Sequence, residues 1–283
     1  MTALSAAGSA ARGVSLVVLY GIGGLSDVGR HAILAALEQP SVKKITVITE
    51  YPELLDEPNW ECGCPGGHTN PSSKVTNHPD GKEVNVVGID SWFKDQSEII
   101  SEHFRDATAV ISCLGHRQPG YKYPELIKRG LVASAGNKQV IKAMMGSSNG
   151  DTSKNLPKRA VVMSSMGIQE DSPCMEFHWA GRIMDLLFLG PSRKAFKDLT
   201  DMELAYKEKE VASKIDYLFI RPVGISEDCV PCGKWWIQQE KYKDVVGMNM
   251  AKMDVARYMV QEALQPTKHR CGVVIGSEPP SKK

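Results

Sequence analysis

The amino-acid sequence predicts an α/β fold with a doubly wound parallel sheet, and three observations support this prediction. Short apolar runs rich in β-branched residues recur along the chain. Segments with the helical spacing of apolar residues separate these runs. The first run leads directly into a glycine-rich turn. Because strict alternation of strands and helices is typical of parallel sheets with right-handed crossovers, we expect one such domain.

The first strand contains the apolar run Leu16 to Leu19. It has no polar alternation, as expected for a parallel strand that is covered on both faces. Six further strands are predicted at Ile45–Ile48, Val84–Val87, Ala109–Leu114, Ala160–Met163, Tyr217–Ile220 and Gly272–Ile275. Helices are predicted over residues 30–38, 96–105, 124–145, 176–188, 200–213 and 252–264.

A glycine-rich turn connects the first strand to the first helix and contains Gly21, Gly23, Gly24 and Gly29. Glycines at such a bend allow the backbone to approach a pyrophosphate, and the amides at the helix N-terminus favour negative charge. The last glycine comes later than the usual spacing requires. A loop lengthened by about two residues explains this, and so does a strand-to-helix turn without a ligand.

Length, composition and charge exclude several classes of protein. The chain has 283 residues, 42% of them hydrophobic, and a formal net charge of +1. It has no dense basic block, so we expect no nucleic-acid partner. No apolar run approaches the roughly 20 residues that a membrane span needs. Seven cysteines, an odd number, do not resemble a secreted disulfide framework and favour a reducing, cytoplasmic location.

We divide the chain into a Rossmann-type domain over residues 14–278 and two tails, 1–13 and 279–283. The first tail is rich in Ala and Ser and carries Arg12, so it is either a flexible tail or the remnant of an organelle import signal. Residues 51–83 are rich in Pro, Gly, Asn and Cys and should form an irregular insertion. Residues 224–247 form a second irregular segment, on the substrate side.

Five motifs in sequence order resemble the atypical short-chain dehydrogenase/reductase group of NAD(P)-binding proteins. This group includes NmrA-like regulators and enzymes similar to biliverdin and flavin reductases. The resemblance covers residues 14–278 apart from the insertion, and no single motif is specific. The motifs are Val86–Asp90, Val110–Gly115, Arg159–Gly167, Asp216–Pro222 and Asp254–Arg257.

The resemblance implies where several residues lie relative to a nicotinamide coenzyme. Asp90 would lie near the adenine, and Leu114 and Gly115 would pass under the coenzyme. Ser164 would lie near the nicotinamide, where the backbone at Pro222 would line the pocket. Independently of the resemblance, ligands of α/β sheets bind beyond the carboxyl ends of the strands, so His116 or Arg117 after the fourth strand either contacts the pyrophosphate or the substrate or lies in a solvent-facing turn. Arg221 either lines the same pocket or forms a buried ion pair.

The end of the second strand bears on the choice of coenzyme. Glu50 lies there, 21 residues after Gly29. A carboxylate at this position binds the ribose hydroxyls of NAD and repels the 2′-phosphate of NADP. We therefore expect NAD to be favoured over NADP, although Arg30 or Lys74 would be able to hold a phosphate. The alternative is a solvated glutamate at the end of a strand.

The resemblance also implies a fixed spacing of catalytic residues, and this chain has different residues at two of those positions. Classical members place a tyrosine 13 residues after the serine and a lysine four residues later. Counting from Ser165 gives His178 and then Arg182. Four residues along a helix put two side chains on one face. His178 would donate a proton to a carbonyl oxygen that Ser165 steadies, while Arg182 would either hold the ribose or lower the pKa of His178. An ordinary histidine on a helix flank is the alternative.

Two functions therefore stay open. The first is an NAD(P)-dependent oxidoreductase that transfers a hydride to or from a small carbonyl or conjugated substrate, such as a quinone, flavin or bilin. The second is a catalytically silent NAD(P)-sensing or assembly protein, as in the NmrA-like regulators. A protein partner or a homodimer is compatible with both.

The cysteines are the feature that the resemblance does not explain. Four thiols and a histidine would be able to bind zinc. The second and sixth strands should lie far apart, however, so we predict no metal site. The alternatives are a redox-active or disulfide-forming Cys229/Cys232 pair, plain loop cysteines, and a zinc-dependent docking element in the insertion. The tryptophan pair would either fill a gap or stack on a flat substrate. These residues are Cys62, Cys64, His68, Cys229, Cys232, Trp235 and Trp236.

Overall fold

The structure is a computed structural model. It describes residues 13–21, 28–52, 81–115, 131–146, 156–166, 168, 193–226, 231–238 and 246–279. Its strands are β1 Val14–Tyr20, β2 Val42–Thr49, β3 Glu83–Gly88, β4 Ala109–Cys113, β5 Arg159–Met163, β6 Asp216–Pro222, β7 Ile225–Ser226, β8 Trp236–Ile237, β9 Met250–Ala251 and β10 Cys271–Gly276. Its helices are α1 Val28–Leu37, α2 Ser97–Phe104, α3 Ala133–Met145, α4 Arg193–Lys207, α5 Lys209–Lys214 and α6 Lys252–Leu264.

The main sheet has eight strands in the order β3-β2-β1-β4-β5-β6-β10-β8. All neighbouring pairs are parallel except β10 and β8, which are antiparallel. Strands β7 and β9 form a separate parallel pair. The predicted doubly wound α/β fold is confirmed. The strand order reverses between β1 and β4, and ligands of such sheets bind in the crevice at that point.

Helices cover both faces of the sheet, as the uninterrupted apolar strands require. Helices α1 and α6 pack on one face with a core that includes Leu16 and Val18. Helices α2, α3 and α4 pack on the other face with a core that includes Val17 and Leu19. The β1 residues from Leu16 to Tyr20 are completely buried. Each fully buried aliphatic side chain contributes about 1.5–3 kcal/mol to the stability.

Several predicted boundaries change. The helix predicted over 200–213 begins earlier, at Arg193, and is interrupted at Glu208, so that α4 and α5 replace it. Residues 224–247 were predicted to be irregular, but the short strands β7 and β8 lie within them. The predicted helix 176–188 and most of the predicted insertion lie outside the described residues.

Candidate functional site

The strand order reverses between β1 and β4, so the ligand crevice is expected at the carboxyl ends of these two strands. Tyr20 and Cys113 are paired in register at these ends. The chain continues into Gly21 after β1 and into Leu114 and Gly115 after β4, and all three residues are buried. The structure thus brings together three residues that the sequence assigned to the coenzyme. Gly23 and Gly24 lie outside the described residues.

Gly29 brings α1 into close contact with the sheet. A Cβ atom at this position would lie 2.6 Å from Cδ2 of Tyr20 and 3.2 Å from Cβ of Cys113. The first distance is much shorter than a carbon–carbon contact allows. The last glycine of a dinucleotide-binding turn has this packing role. Gly29 therefore fits the motif as the packing glycine and not as one that faces the pyrophosphate.

The first turn of α1 carries positive charge and no acidic residue. Arg30, its third residue, donates from Nε to the hydroxyl of Tyr20 at 2.7 Å. The guanidinium carbon lies 5.8 Å from the centre of the same ring. The positive end of the helix dipole and a nearby guanidinium both favour an anion, so these residues fit the diphosphate of a dinucleotide.

Glu50 lies at the end of β2, as predicted, but it is not a solvated side chain. It is 9% exposed, and its Oε1 accepts a hydrogen bond of 2.8 Å from the backbone N–H of Trp92. The carboxylate is therefore directed at the loop that follows β3. Asp90, in the same loop, is exposed, and its Oδ2 lies 3.4 Å from Nζ of Lys94.

The loop after β3 is anchored by contacts that the sequence did not reveal. Gln139 of α3 donates from its side-chain amide to the carbonyl of Trp92, and its Oε1 accepts from the N–H of Gln96 at 2.7 Å. The indole of Trp92 is 1% exposed. In the sequence, the only indication of this anchor was that Gln139 occupies one of the otherwise apolar positions of the α3 pattern. Together with Glu50, Gln139 fixes the side of the crevice where the adenine is expected.

The paired serines after β5 have different environments. Ser164 is completely buried, and its hydroxyl donates to Oε1 of Glu203 at 2.6 Å. Ser165 is half-buried, and its hydroxyl donates to the carbonyl of Met166 at 3.1 Å. The Ser165 hydroxyl donates to the carbonyl of the next residue at a half-buried position, so a substrate oxygen would be able to replace that carbonyl as the acceptor. The buried hydroxyl of Ser164 does not have this freedom.

Glu203 is a residue that the sequence analysis did not single out. It is 1% exposed and forms an ion pair with Arg221, which is 2% exposed. Arg221 Nε donates to Glu203 Oε1 at 3.0 Å, and its Nη2 donates to Oε2. The buried ion pair was one of the two alternatives for Arg221, and it is confirmed. Glu203 follows the buried Met202 on α4, so a carboxylate on an apolar helix face was the missed signal.

Asp254 near the start of α6 binds the backbone of the segment that contains Cys232. Its two carboxylate oxygens accept hydrogen bonds of 2.9 Å each from the N–H groups of Cys232 and Gly233. Cys232 is exposed, and its Sγ lies 3.5 Å from Oδ2 of Asp254. Arg257 of the same motif forms an ion pair with Glu38 at the end of α1.

The remaining candidates divide into those the structure describes and those it does not. Trp235 packs against Tyr258 with 5.5 Å between ring centres, which supports the gap-filling role. Pro222 is buried at the end of β6. Among the described residues, no three His, Cys, Asp or Glu side chains are placed to hold a metal ion. The candidates outside the described residues are Cys62, Cys64, His68, Lys74, His116, Arg117, His178, Arg182 and Cys229.

Fold and crevice together define a dinucleotide-binding protein with a doubly wound sheet. A family model described as NAD(P)H-binding matches residues 68–266, which is more than half of the chain. The chain therefore belongs to this NAD(P)H-binding family. A comparison with curated proteins finds no significant match. In the described part of the chain, no helix combines the length and the apolar character that crossing a membrane requires.

Solved structures share the fold at low sequence identity. ChuY, an anaerobilin reductase from Escherichia coli O157:H7, has a TM-score of 0.59 and 18% identity over 95% of this chain and 100% of its own. A wide-type short-chain dehydrogenase/reductase from Veillonella parvula, solved with NADP, has a TM-score of 0.57 and 11% identity over 95% and 99%. The oxidoreductase ylbE from Lactococcus lactis has a TM-score of 0.57 and 13% identity over 93% of this chain and 91% of its own.

Proposed function

We propose that the protein is an NAD(P)-dependent oxidoreductase that reduces a small carbonyl or conjugated substrate such as a quinone, a flavin or a bilin. The observation that carries this proposal is the crevice between β1 and β4. There, α1 begins directly over the end of β1, with Gly29 in contact with Tyr20. The family match and the fold shared with an anaerobilin reductase support the same class of activity.

Different residues of the chain bind the coenzyme and the substrate at the two ends of the crevice. The start of α1 and Arg30 bind the diphosphate, and the loop held by Glu50 and Gln139 lies beside the adenine. When bound, the coenzyme supplies the hydride. Ser165 exchanges its hydrogen bond to Met166 for one to the substrate oxygen. In the proposed mechanism His178 gives a proton to that oxygen, and Arg182 orients the ribose.

We propose NAD as the preferred coenzyme, with NADP as the alternative. The buried carboxylate of Glu50 lies at the strand end where the ribose hydroxyls are expected, and its negative charge would repel a 2′-phosphate. The positive charge of Arg30, at the start of α1, would attract the 2′-phosphate and so offset part of this repulsion. The expected preference is therefore modest.

Turnover by the purified chain tests the proposal. The protein is mixed with NADH or NADPH and with one substrate at a time: a quinone, a flavin, biliverdin or an aldehyde. Oxidation of the coenzyme is followed by the loss of its absorbance. We expect at least one substrate to be reduced and Ser165→Ala to slow that reaction about 10-fold or more. Ser213→Ala is the matched control, because Ser213 also donates to a backbone carbonyl but is exposed on α5. Equal rates in Ser165→Ala and Ser213→Ala would remove Ser165 from the mechanism.

A second candidate function is a coenzyme-sensing protein without turnover. It is favoured by one observation, the absence of the tyrosine and lysine from the register that starts at Ser165. A sensor binds the coenzyme but reduces no member of the panel, and its affinity for a protein partner changes with the redox state of the nicotinamide.

A further inference from the structure

We infer that Glu203 and Arg221 are positioning residues for the nicotinamide end of the crevice, which they control through Ser164. The inference deepens the proposed function and rests on it. Ser164, Glu203 and Arg221, which we call the buried triad, are each at most 2% exposed. They come from the end of β5, from α4 and from the end of β6.

Glu203 is the acceptor at the centre of the buried triad. One of its oxygens accepts from both the Ser164 hydroxyl and Arg221 Nε, and the other accepts from Arg221 Nη2. Lys207, one turn further along α4, lies 3.8 Å from the second oxygen. The carboxylate thus has donors on both oxygens, which is the condition under which a charge can be buried.

Strand β10 leaves space for the guanidinium of Arg221. A Cβ atom at Gly272 would lie 2.5 Å from the guanidinium carbon of Arg221. Gly272 is directly paired with Phe219 in the sheet. A larger residue at position 272 would require the guanidinium of Arg221 to move.

A stabilising role does not by itself account for this arrangement. Removing two charges from water costs as much as a buried ion pair returns, and apolar residues of similar volume often replace such pairs without loss. A buried ion pair at the carboxyl edge of the sheet is therefore weak evidence for stability. Its location next to the paired serines points to a role in holding the backbone.

The buried triad fixes the chain direction where β5 ends. Ser164 is held twice, since its N–H donates to the carbonyl of Ile220 at 2.8 Å and its hydroxyl donates to Glu203. Ser165 is the next residue, and it is half-buried at the same edge. Because Ser164 is fixed through both its backbone and its side chain, the direction in which Ser165 leaves the sheet is fixed as well.

The double variant Glu203→Leu/Arg221→Met tests the inference, because it removes both charges and keeps the volume. NADH and ADP-ribose are the two probes, since ADP-ribose lacks the nicotinamide. We expect the wild type to bind NADH more tightly than ADP-ribose. In the double variant we expect unchanged affinity for ADP-ribose, and a loss of NADH affinity of about 10-fold or more. Ser164→Ala should show a smaller loss of the same kind.

The control variant is Lys197→Met/Asp201→Leu, which removes an exposed ion pair from the same helix. It should leave both affinities unchanged. Parallel loss of NADH and ADP-ribose affinity in the double variant, or no loss of either, would overturn the positioning role while leaving the proposed function intact. Equal binding of the two probes by the wild type would also overturn it. A wild type that binds neither probe contradicts the proposed function itself.

Discussion

Arg30 donates a hydrogen bond of 2.7 Å from its Nε to the hydroxyl of Tyr20, which ties the start of α1 to the end of β1. The ring of Tyr20 is completely buried, and the missing side chain of Gly29 leaves room for its edge. Tyr20 is thus held from two directions, and the helix cannot shift relative to the strand without breaking one of these contacts.

The first prediction concerns Gly29→Ala. The added methyl group would lie 2.6 Å from Tyr20 Cδ2, so the ring or the helix must move. We expect the free energy of unfolding to fall by about 1–3 kcal/mol, as in other overpacked cores, and coenzyme affinity to fall with it. Urea denaturation and coenzyme titration measure the two effects.

Tyr20→Phe provides the control for this substitution, because it removes only the hydroxyl that Arg30 contacts. We expect a loss of about 0.5–1.5 kcal/mol from Tyr20→Phe alone. When Gly29→Ala and Tyr20→Phe are combined, the released ring can move away from the added methyl group, so the combined loss should be smaller than the sum of the two single losses. A strictly additive result would show that the tether to Arg30 does not hold the ring in place.

The second prediction concerns coenzyme choice. Glu50→Gln keeps an oxygen that can accept from the N–H of Trp92 and removes the negative charge. We expect NADPH affinity to rise about 3- to 10-fold, because the repulsion of the 2′-phosphate is relieved, and NADH affinity to fall, because a neutral amide binds the ribose hydroxyls less strongly than a carboxylate. The control is Glu83→Gln, which removes an equal charge from an exposed position at the start of β3. The same change in both variants would point to general charge effects and against a site at Glu50.

The third prediction concerns the contact between α6 and the segment of Cys232. Asp254→Asn leaves one acceptor oxygen for two N–H groups, those of Cys232 and Gly233. We expect a loss of about 1–3 kcal/mol in stability and faster alkylation of Cys232, measured on its peptide by mass spectrometry. Asp201→Asn on α4 is the control and should change neither. An unchanged alkylation rate in Asp254→Asn would contradict the anchoring role.

The fourth prediction compares two aspartates whose pKa values are shifted in opposite directions. A hydrogen bond from the Lys142 ammonium, with further ones from Ser97, holds the pKa of Asp95 well below its usual value. Burial raises the pKa of Asp198, which caps the start of α3 by accepting from the N–H groups of Ala133 and Ser134.

The stability that Asp95 contributes is present above its unfolded pKa of about 3.9 and is lost as the pH falls. The contribution of Asp198 is present below that pKa and is lost as the pH rises through its raised folded pKa. Going from about pH 4 to pH 7, we therefore expect the Tm difference from wild type to become more negative for Asp95→Asn and more positive for Asp198→Asn. If the Tm difference changed with pH in the same direction for both variants, the opposite pKa shifts of Asp95 and Asp198 would be contradicted.

The sequence predicted the sheet well because each strand is buried on both faces, and the pattern of Leu16 to Leu19 is local. The strand-end positions of Glu50 and Ser165 followed from the same pattern. The partners of these residues did not, because Trp92 and Glu203 meet Glu50 and Ser164 only through tertiary packing. Gly29 was assigned to the motif although it comes later than the usual spacing requires, and its packing role became visible only from the distance to Tyr20.

The measurement that tests the central claim most directly is a titration of the purified full-length chain with NADH and with NADPH, followed by coenzyme fluorescence. We predict saturable binding of at least one of the two, with NADH modestly favoured, and competition by ADP-ribose. Absence of saturable binding of both coenzymes at concentrations up to about 1 mM would contradict the assignment of the crevice between β1 and β4 as a coenzyme site.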